Sequence, residues 1–282
     1  MTAAYNKIMQ QNGMNEFKEL VKKWEILSEN INESPFNAPI ILPDIFLVSG
    51  SGTGRTHLLK LLSEYLSDKK KLMDFYGDVK YFEFMLNYCK PGEYFAEIQR
   101  LMTEISDAAG FRNEYRGIVY IDVDEWLGHC HEKHFIDFME YLSDNSDKWL
   151  VVLSVTTGAE EKIEGMRSVL SAFLRIEKVT IETPTNEALS QYLFDLIFAY
   201  GFMLDDGARK VLSDTVNTLS EAKYFDGYKT VKRLGQDVVY SVYSRVKRIN
   251  TLTSDDVSEF SSTGDYVKRV VKKIEKVKRI GF

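Results

Sequence analysis

The feature that most constrains this chain is an eight-residue run, Ser49-Gly50-Ser51-Gly52-Thr53-Gly54-Arg55-Thr56, set between the apolar tetrad Ile45-Phe46-Leu47-Val48 and the helix-periodic segment His57-Leu58-Leu59-Lys60-Leu61-Leu62. Strand, glycine-rich turn and helix in that order aim successive backbone N–H groups and a helix N-terminus at one point, which is how a protein holds phosphate oxygens. Gly50, Ser51, Gly52, Thr53, Gly54, Arg55 and Thr56 are therefore the candidate phosphate contacts. Against the pattern G-x-x-x-x-G-K-[ST], Ser49 replaces the first glycine and Arg55 replaces the lysine. A guanidinium keeps the charge but is longer, planar and forked, so it does not reproduce a compact ammonium between two phosphates. The run thus predicts phosphate binding with altered handling of the transferring group, and leaves the Thr56 hydroxyl for Mg2+.

The rest of the chain supports a folded protein around that loop. Of its 282 residues 44% are apolar and 13% aromatic, enough to bury a sizeable core and to exclude a disordered scaffold. Cys89 and Cys130 are too few and too far apart for a disulfide framework, and the N-terminus lacks an apolar leader, so the expectation is a reduced, cytoplasmic protein. No apolar run approaches the roughly 20 residues of a membrane span. A net charge of −6 gives no general attraction to nucleic acid.

Apolar periodicity predicts a helix over 13–27, a turn-rich connection through Pro35, Pro39 and Pro43, then short strands at 45–48, 79–86, 117–121, 149–155 and 178–182 separated by helix-length segments. That alternation implies a parallel sheet with helices on both faces. Beyond Asn186 the strand signal gives way to helical periodicity, so a smaller all-helical domain follows. The expected organisation is an extension over 1–12, an α/β domain over 13–184, a helical lid over 185–262 and a basic helix over 263–282. In the last segment seven lysines and arginines face Asp265 and Glu275, with valines and isoleucines at helical spacing. It reads as a packed terminal helix with a solvated basic face; an acidic partner, an anionic membrane or nucleic acid is the alternative.

A Mg2+-supporting acid belongs at the end of a neighbouring apolar strand, and Ile118-Val119-Tyr120-Ile121-Asp122 supplies one. A hydrolytic site carries glutamate next, to orient water; here the residue is Val123, with Asp124 and Glu125 one and two positions on. Glu125 and Asp124 are the candidates for the missing base, and Arg55→Lys with Val123→Glu is expected to raise turnover. The H-C-H-x-x-H run at His129, Cys130, His131 and His134 lacks the second, distant ligand pair of a zinc site and reads as helix-start and surface residues.

In order and spacing these motifs resemble AAA+ ATPases, most closely the branch of the red-type Rubisco activase and the stage V sporulation protein K-like ATPases. GMNEFKELVKKW is similar to that branch's opening helix, SGSGTGRT to its phosphate loop, YIDVDEWL to its acidic strand end, and YGFMLDDGARKVL and YFDGYKTVKRL to its lid signatures. The resemblance implies an AAA+ P-loop sheet with a helical lid, with ATP or ADP and Mg2+ bound between lobes and ring neighbours. It implies Arg175 as arginine finger, Lys229 and Lys232 at the lid sensor arginines, Thr156 or Thr157 as the polar sensor near the γ-phosphate, and Asp122 with Thr56 at the metal. Tyr94 and Phe95 fall in the segment that becomes a pore loop. Partners implied are a homo- or hetero-oligomeric ring, hexameric in the family, a protein client and an active AAA+ paralogue. Because the departures at Arg55, Val123 and Lys229 all touch γ-phosphate handling, the expected activity is ATP binding with weakened or absent hydrolysis. A nucleotide-gated adaptor without turnover and a DNA-associated regulator are the alternatives.

Overall fold

The computed structural model describes residues 2–11, 13–33, 40–50, 52–69, 72, 78–88, 93–109, 117–146, 149–156, 158–222, 225–245 and 250–277. They divide into two compact units, one of 1–50 with 55–182, the other of 51–54 with 183–282. Within the described residues no helix is long and apolar enough to cross a membrane.

In the first unit two helices, α1 (Ala3–Met9) and α2 (Asn15–Glu33), lead into β1 (Asp44–Ser49) and α3 (Arg55–Ser67). There follow β2 (Lys80–Met85), α4 (Tyr94–Ala109), β3 (Gly117–Asp122), α5 (Lys133–Asp144), β4 (Trp149–Val155), α6 (Glu160–Phe173) and β5 (Ile176–Ile181). The strands form one parallel sheet in the order β2-β3-β4-β1-β5. Side-chain alternation sorts the apolar runs cleanly. Ile45, Leu47, Ile118, Leu150 and Val152 face α1, α2 and α3 and pack with Phe17, Trp24, Leu58 and Leu62. Phe46, Val48, Val119, Ile121, Val151 and Leu153 face the other way, onto Leu101, Phe138, Met139 and Leu170 of α4, α5 and α6. Both faces of the central strands β1, β3 and β4 are covered, which is why these read as nearly unbroken apolar runs, whereas the edge strands β2 and β5 mix polar and apolar residues.

Two differences from the sequence expectation have local causes. The helix expected over 13–27 extends to Glu33, six residues into the expected connection, because Ser28 and Ile31 remain on its buried face. The opening segment, polar in composition, contains α1, whose Tyr5 and Ile8 are buried beside α3 and whose Thr2 hydroxyl caps the Tyr5 N–H at 3.2 Å. The β5 edge of the sheet is closed from α2: Glu16 accepts a hydrogen bond from the Thr180 backbone N–H at 2.6 Å, and Lys23 pairs with Glu177 at 2.8 Å.

The second unit is built from α7 (Asn186–Ala199), α8 (Asp206–Ser220), α9 (Gly227–Tyr243) and α10 (Asp265–Val277). Its two parallel two-residue strands, β6 (Met203–Leu204) and β7 (Thr251–Leu252), are too short to leave a sequence signal. Thr185 and Asp205 start α7 and α8 by accepting from the N–H groups of Ala188 and Ala208. Leu193, Ile197, Leu212, Val216, Val231 and Val238 form the core. On α10 Val267 is buried while Val270 and Val271 pack against that core, and Lys268, Arg269 and Lys272 stay exposed.

Candidate functional site

In the first unit, neighbouring strands β1 and β4 send their connections in opposite directions, to β2 on one side and to β5 on the other. In a parallel sheet that reversal opens a crevice at the carboxyl ends of the strands. Ser49, Asp122 and Val155 end the three strands concerned, and Arg55 opens α3 directly after the glycine loop. Register then decides which side chains meet. Asp122 pairs with Ser154 across β3 and β4, and Tyr120 lies two residues back on the same face, the one covered by α3.

Arg55 reaches down onto this face. Its Nη1 donates to Ser154 Oγ at 2.6 Å and lies 3.8 Å from Asp122 Oδ2, with both charged side chains only about one-fifth exposed. Burial pushes the Asp122 carboxyl above its ordinary range, while the Asp124 N–H that donates to its Oδ1 at 3.0 Å and the Arg55 charge pull it back. Thr56 is exposed, and the nearby strand β2 carries Tyr81, whose phenol donates to Glu83 at 3.2 Å. Ser49 Oγ is buried without a hydrogen-bond partner among the described residues.

The acids after Asp122 are each engaged. Asp124 Oδ1 accepts from the Thr156 N–H at 2.7 Å, and Glu125 accepts from the Tyr88 N–H at 2.8 Å. Val123 is fully buried on the α4–α6 side and donates its N–H to the Ser154 carbonyl. In that position a glutamate carboxylate would be desolvated by the apolar core, which weighs against the expected gain in turnover from Val123→Glu. Arg175, at the foot of β5, donates to the Ile41 carbonyl at 2.7 Å, and its own carbonyl accepts from the Asp44 N–H. Thr156 is half-buried. Ser51, Thr157 and Cys89 lie outside the described residues, as does the side chain of Tyr94; Phe95 is exposed on the first turn of α4.

The second unit includes the tip of the glycine loop. Gly52 has φ of +71° and Gly54 of +88°, and the Gly52 carbonyl accepts from the Tyr228 N–H at 3.0 Å, capping α9 where no side chain does. A Cβ on Gly52 would stand 2.4 Å from the Asp226 carbonyl carbon, and one on Gly227 2.4 Å from the Gly52 oxygen, so only paired glycines allow this approach. Lys229 is almost fully exposed, its Nζ 3.4 Å from Asp226 Oδ2, and Lys232 is exposed as well.

Ser154 is the residue that sequence reasoning passed over. Its one visible sign is a lone hydroxyl in an otherwise apolar strand, and its partner Asp122 is fixed by register alone. As for ligands, the glycine loop with its positive-φ positions and following helix suits an anion. The metal donors suit a divalent ion poorly. Asp122 already has a guanidinium beside it, and among the described residues no group of three or more histidines, cysteines, aspartates or glutamates could hold a metal by itself. That also covers the histidine run: Cys130 is buried, and His129 stacks on Tyr88 with Nδ1 2.9 Å from Glu132.

The five-stranded parallel sheet in this order, with helices on both faces, fits an α/β fold of the AAA+ type. Solved structures share it. PCH-2 from C. elegans matches with a TM-score of 0.57 at 14% identity, over 96% of this chain and 74% of that one. A point mutant of RuvB from Thermotoga maritima matches with a TM-score of 0.51 at 14% identity, over 94% of this chain and 78% of that one. No protein-family model and no curated protein matches the chain.

Proposed function

We propose that this chain is an ATP- or ADP-binding AAA+ protein with weakened or absent hydrolysis, acting in a ring or with an active paralogue to remodel or regulate a client protein. The observation that carries the reading is the hydrolytic half of the site. Arg55 is turned onto Asp122 and Ser154, Val123 is buried, and Asp124 and Glu125 are committed to backbone N–H groups. A base that cannot orient water forfeits on the order of 10²- to 10⁴-fold in rate, while the backbone features that bind phosphate need none of these side chains.

In the same reading Gly50 to Thr56 hold the phosphates, Lys229 serves as lid sensor, Thr156 as polar sensor, and Arg175 as a finger toward a neighbouring subunit once released from Ile41. The closer likeness to the Rubisco activase and sporulation protein branch rests on the motif order alone. The test is calorimetric titration of the full chain with ATP and ADP beside a phosphate-release assay, alone and mixed with a candidate active paralogue. Binding with phosphate release no faster than the buffer blank is expected for the chain alone. Turnover of about 1 s⁻¹ or more, the ordinary range for such enzymes, would refute the reading. Binding without stimulation of any paralogue would favour the nucleotide-gated adaptor.

A further inference from the structure

Resting on the nucleotide reading above, we infer that Arg55 is the built-in counter-ion of Asp122 and that this site holds adenine nucleotide without a divalent metal. The placement of one charge carries it. In the pattern this loop departs from, a lysine would leave the acid at the end of β3 to a hydrated cation. Here the residue at that position is Arg55, and its guanidinium sits 3.8 Å from Asp122 Oδ2 while donating to Ser154 Oγ at 2.6 Å. Ser154 is the cross-strand partner of Asp122 and fully buried, so the guanidinium is held on the sheet by two groups whose spacing β3 and β4 fix.

Two properties of that arrangement oppose a metal. A guanidinium does not deprotonate in proteins, so it cannot give up its charge to admit a second cation as a buried lysine can. Mg2+ asks for near-ideal octahedral oxygen geometry at about 2.0–2.1 Å, and the Asp122 carboxylate is already shared between Arg55 and the Asp124 N–H. A guanidinium has five N–H donors and Ser154 uses one, so Arg55 retains donors for phosphate oxygens, a recognition to which its planar fork is suited. The positive charge that a phosphate needs at this site therefore comes from the chain itself.

The experiment is titration of the full chain with ATP and with ADP, in buffer holding excess magnesium and in buffer holding EDTA, for the native chain, Arg55→Lys and Asp122→Asn. The native chain is expected to bind each nucleotide with dissociation constants within about threefold of one another in the two buffers. Arg55→Lys is expected to gain at least about tenfold in affinity from magnesium, because a compact ammonium leaves Asp122 open. Asp122→Asn, which removes the group a metal would need, is expected to show no magnesium dependence. A native chain that loses tenfold or more in EDTA overturns this inference and leaves nucleotide binding standing. Metal-independent binding by Arg55→Lys as well would overturn the assignment to Arg55. Absence of binding in both buffers would remove the proposed function and this inference together. Circular dichroism melts establish that each variant is folded; were Arg55→Lys unfolded, the native chain and Asp122→Asn would still decide the metal question.

Discussion

Asp44 is expected to make the first unit less stable as pH rises from about 4 to about 7. It opens β1, is 5% exposed, and accepts a hydrogen bond from the Val151 N–H at 2.8 Å. Burial pushes its carboxyl from an ordinary 3.8 up to about 7; the Val151 donor and the Arg175 charge oppose that rise without cancelling it. Between these two values the native state keeps a proton that the unfolded chain has released. Stability contributed by the protonated form is therefore complete below about 3.8, falls as pH rises, and is gone above about 7. The slope approaches about 1.4 kcal/mol per pH unit in mid-window, and the whole change is at most about 4 kcal/mol. Asp44→Asn keeps an oxygen for the Val151 N–H and removes the titration. Its intrinsic cost or gain is constant with pH, so the informative quantity is the stability difference between the two proteins, measured by urea unfolding from about pH 4.5 to about pH 8. Relative to the native chain, the variant should gain at least about 2 kcal/mol across that range. A difference flat to within about 0.5 kcal/mol would mean that Asp44 titrates near its ordinary value and that its burial carries no penalty.

Two further outcomes are expected. Glu25, 4% exposed, is held by Lys69 at 2.9 Å and by the Tyr65 hydroxyl at 3.0 Å, so Lys69→Met should cost about 3–5 kcal/mol by leaving a buried charge unpaired; adding Glu25→Gln should recover most of that loss in urea unfolding. Gly52→Ala drives a methyl into the Asp226 backbone from a left-handed conformation and should destabilise the second unit by about 2 kcal/mol or more, read as a lowered melting temperature; an unchanged melt would show that the loop tip does not make this contact in solution.

What the sequence disclosed, it disclosed through local signals. The strands at 117–122 and 149–155 are uninterrupted apolar runs because both of their faces are covered, and the glycine loop is a contiguous motif. The helix at 3–9 escaped because its burial comes from Tyr65, sixty residues along, rather than from its own composition. Within the site the loop and Asp122 were visible for the same reason that the strands were. The partnership of Arg55 with Ser154 was not, since it depends on the register of two strands joined through a helix. The motif position of Val123 does not say what its side chain packs against; here it is the apolar core beside α4, α5 and α6.

The bond from the Thr180 N–H to Glu16 has a consequence for how the chain tolerates trimming. A sheet border with unmatched amides is a template on which another copy can knit itself, and here the helix before the sheet acts as the selvage that keeps the weave from catching. A version of the protein begun at Asp44 would keep every strand and the whole glycine loop, yet it would lose that hem together with the apolar cover of Phe17, Leu20 and Trp24, leaving both a bared core and a bared β5 border.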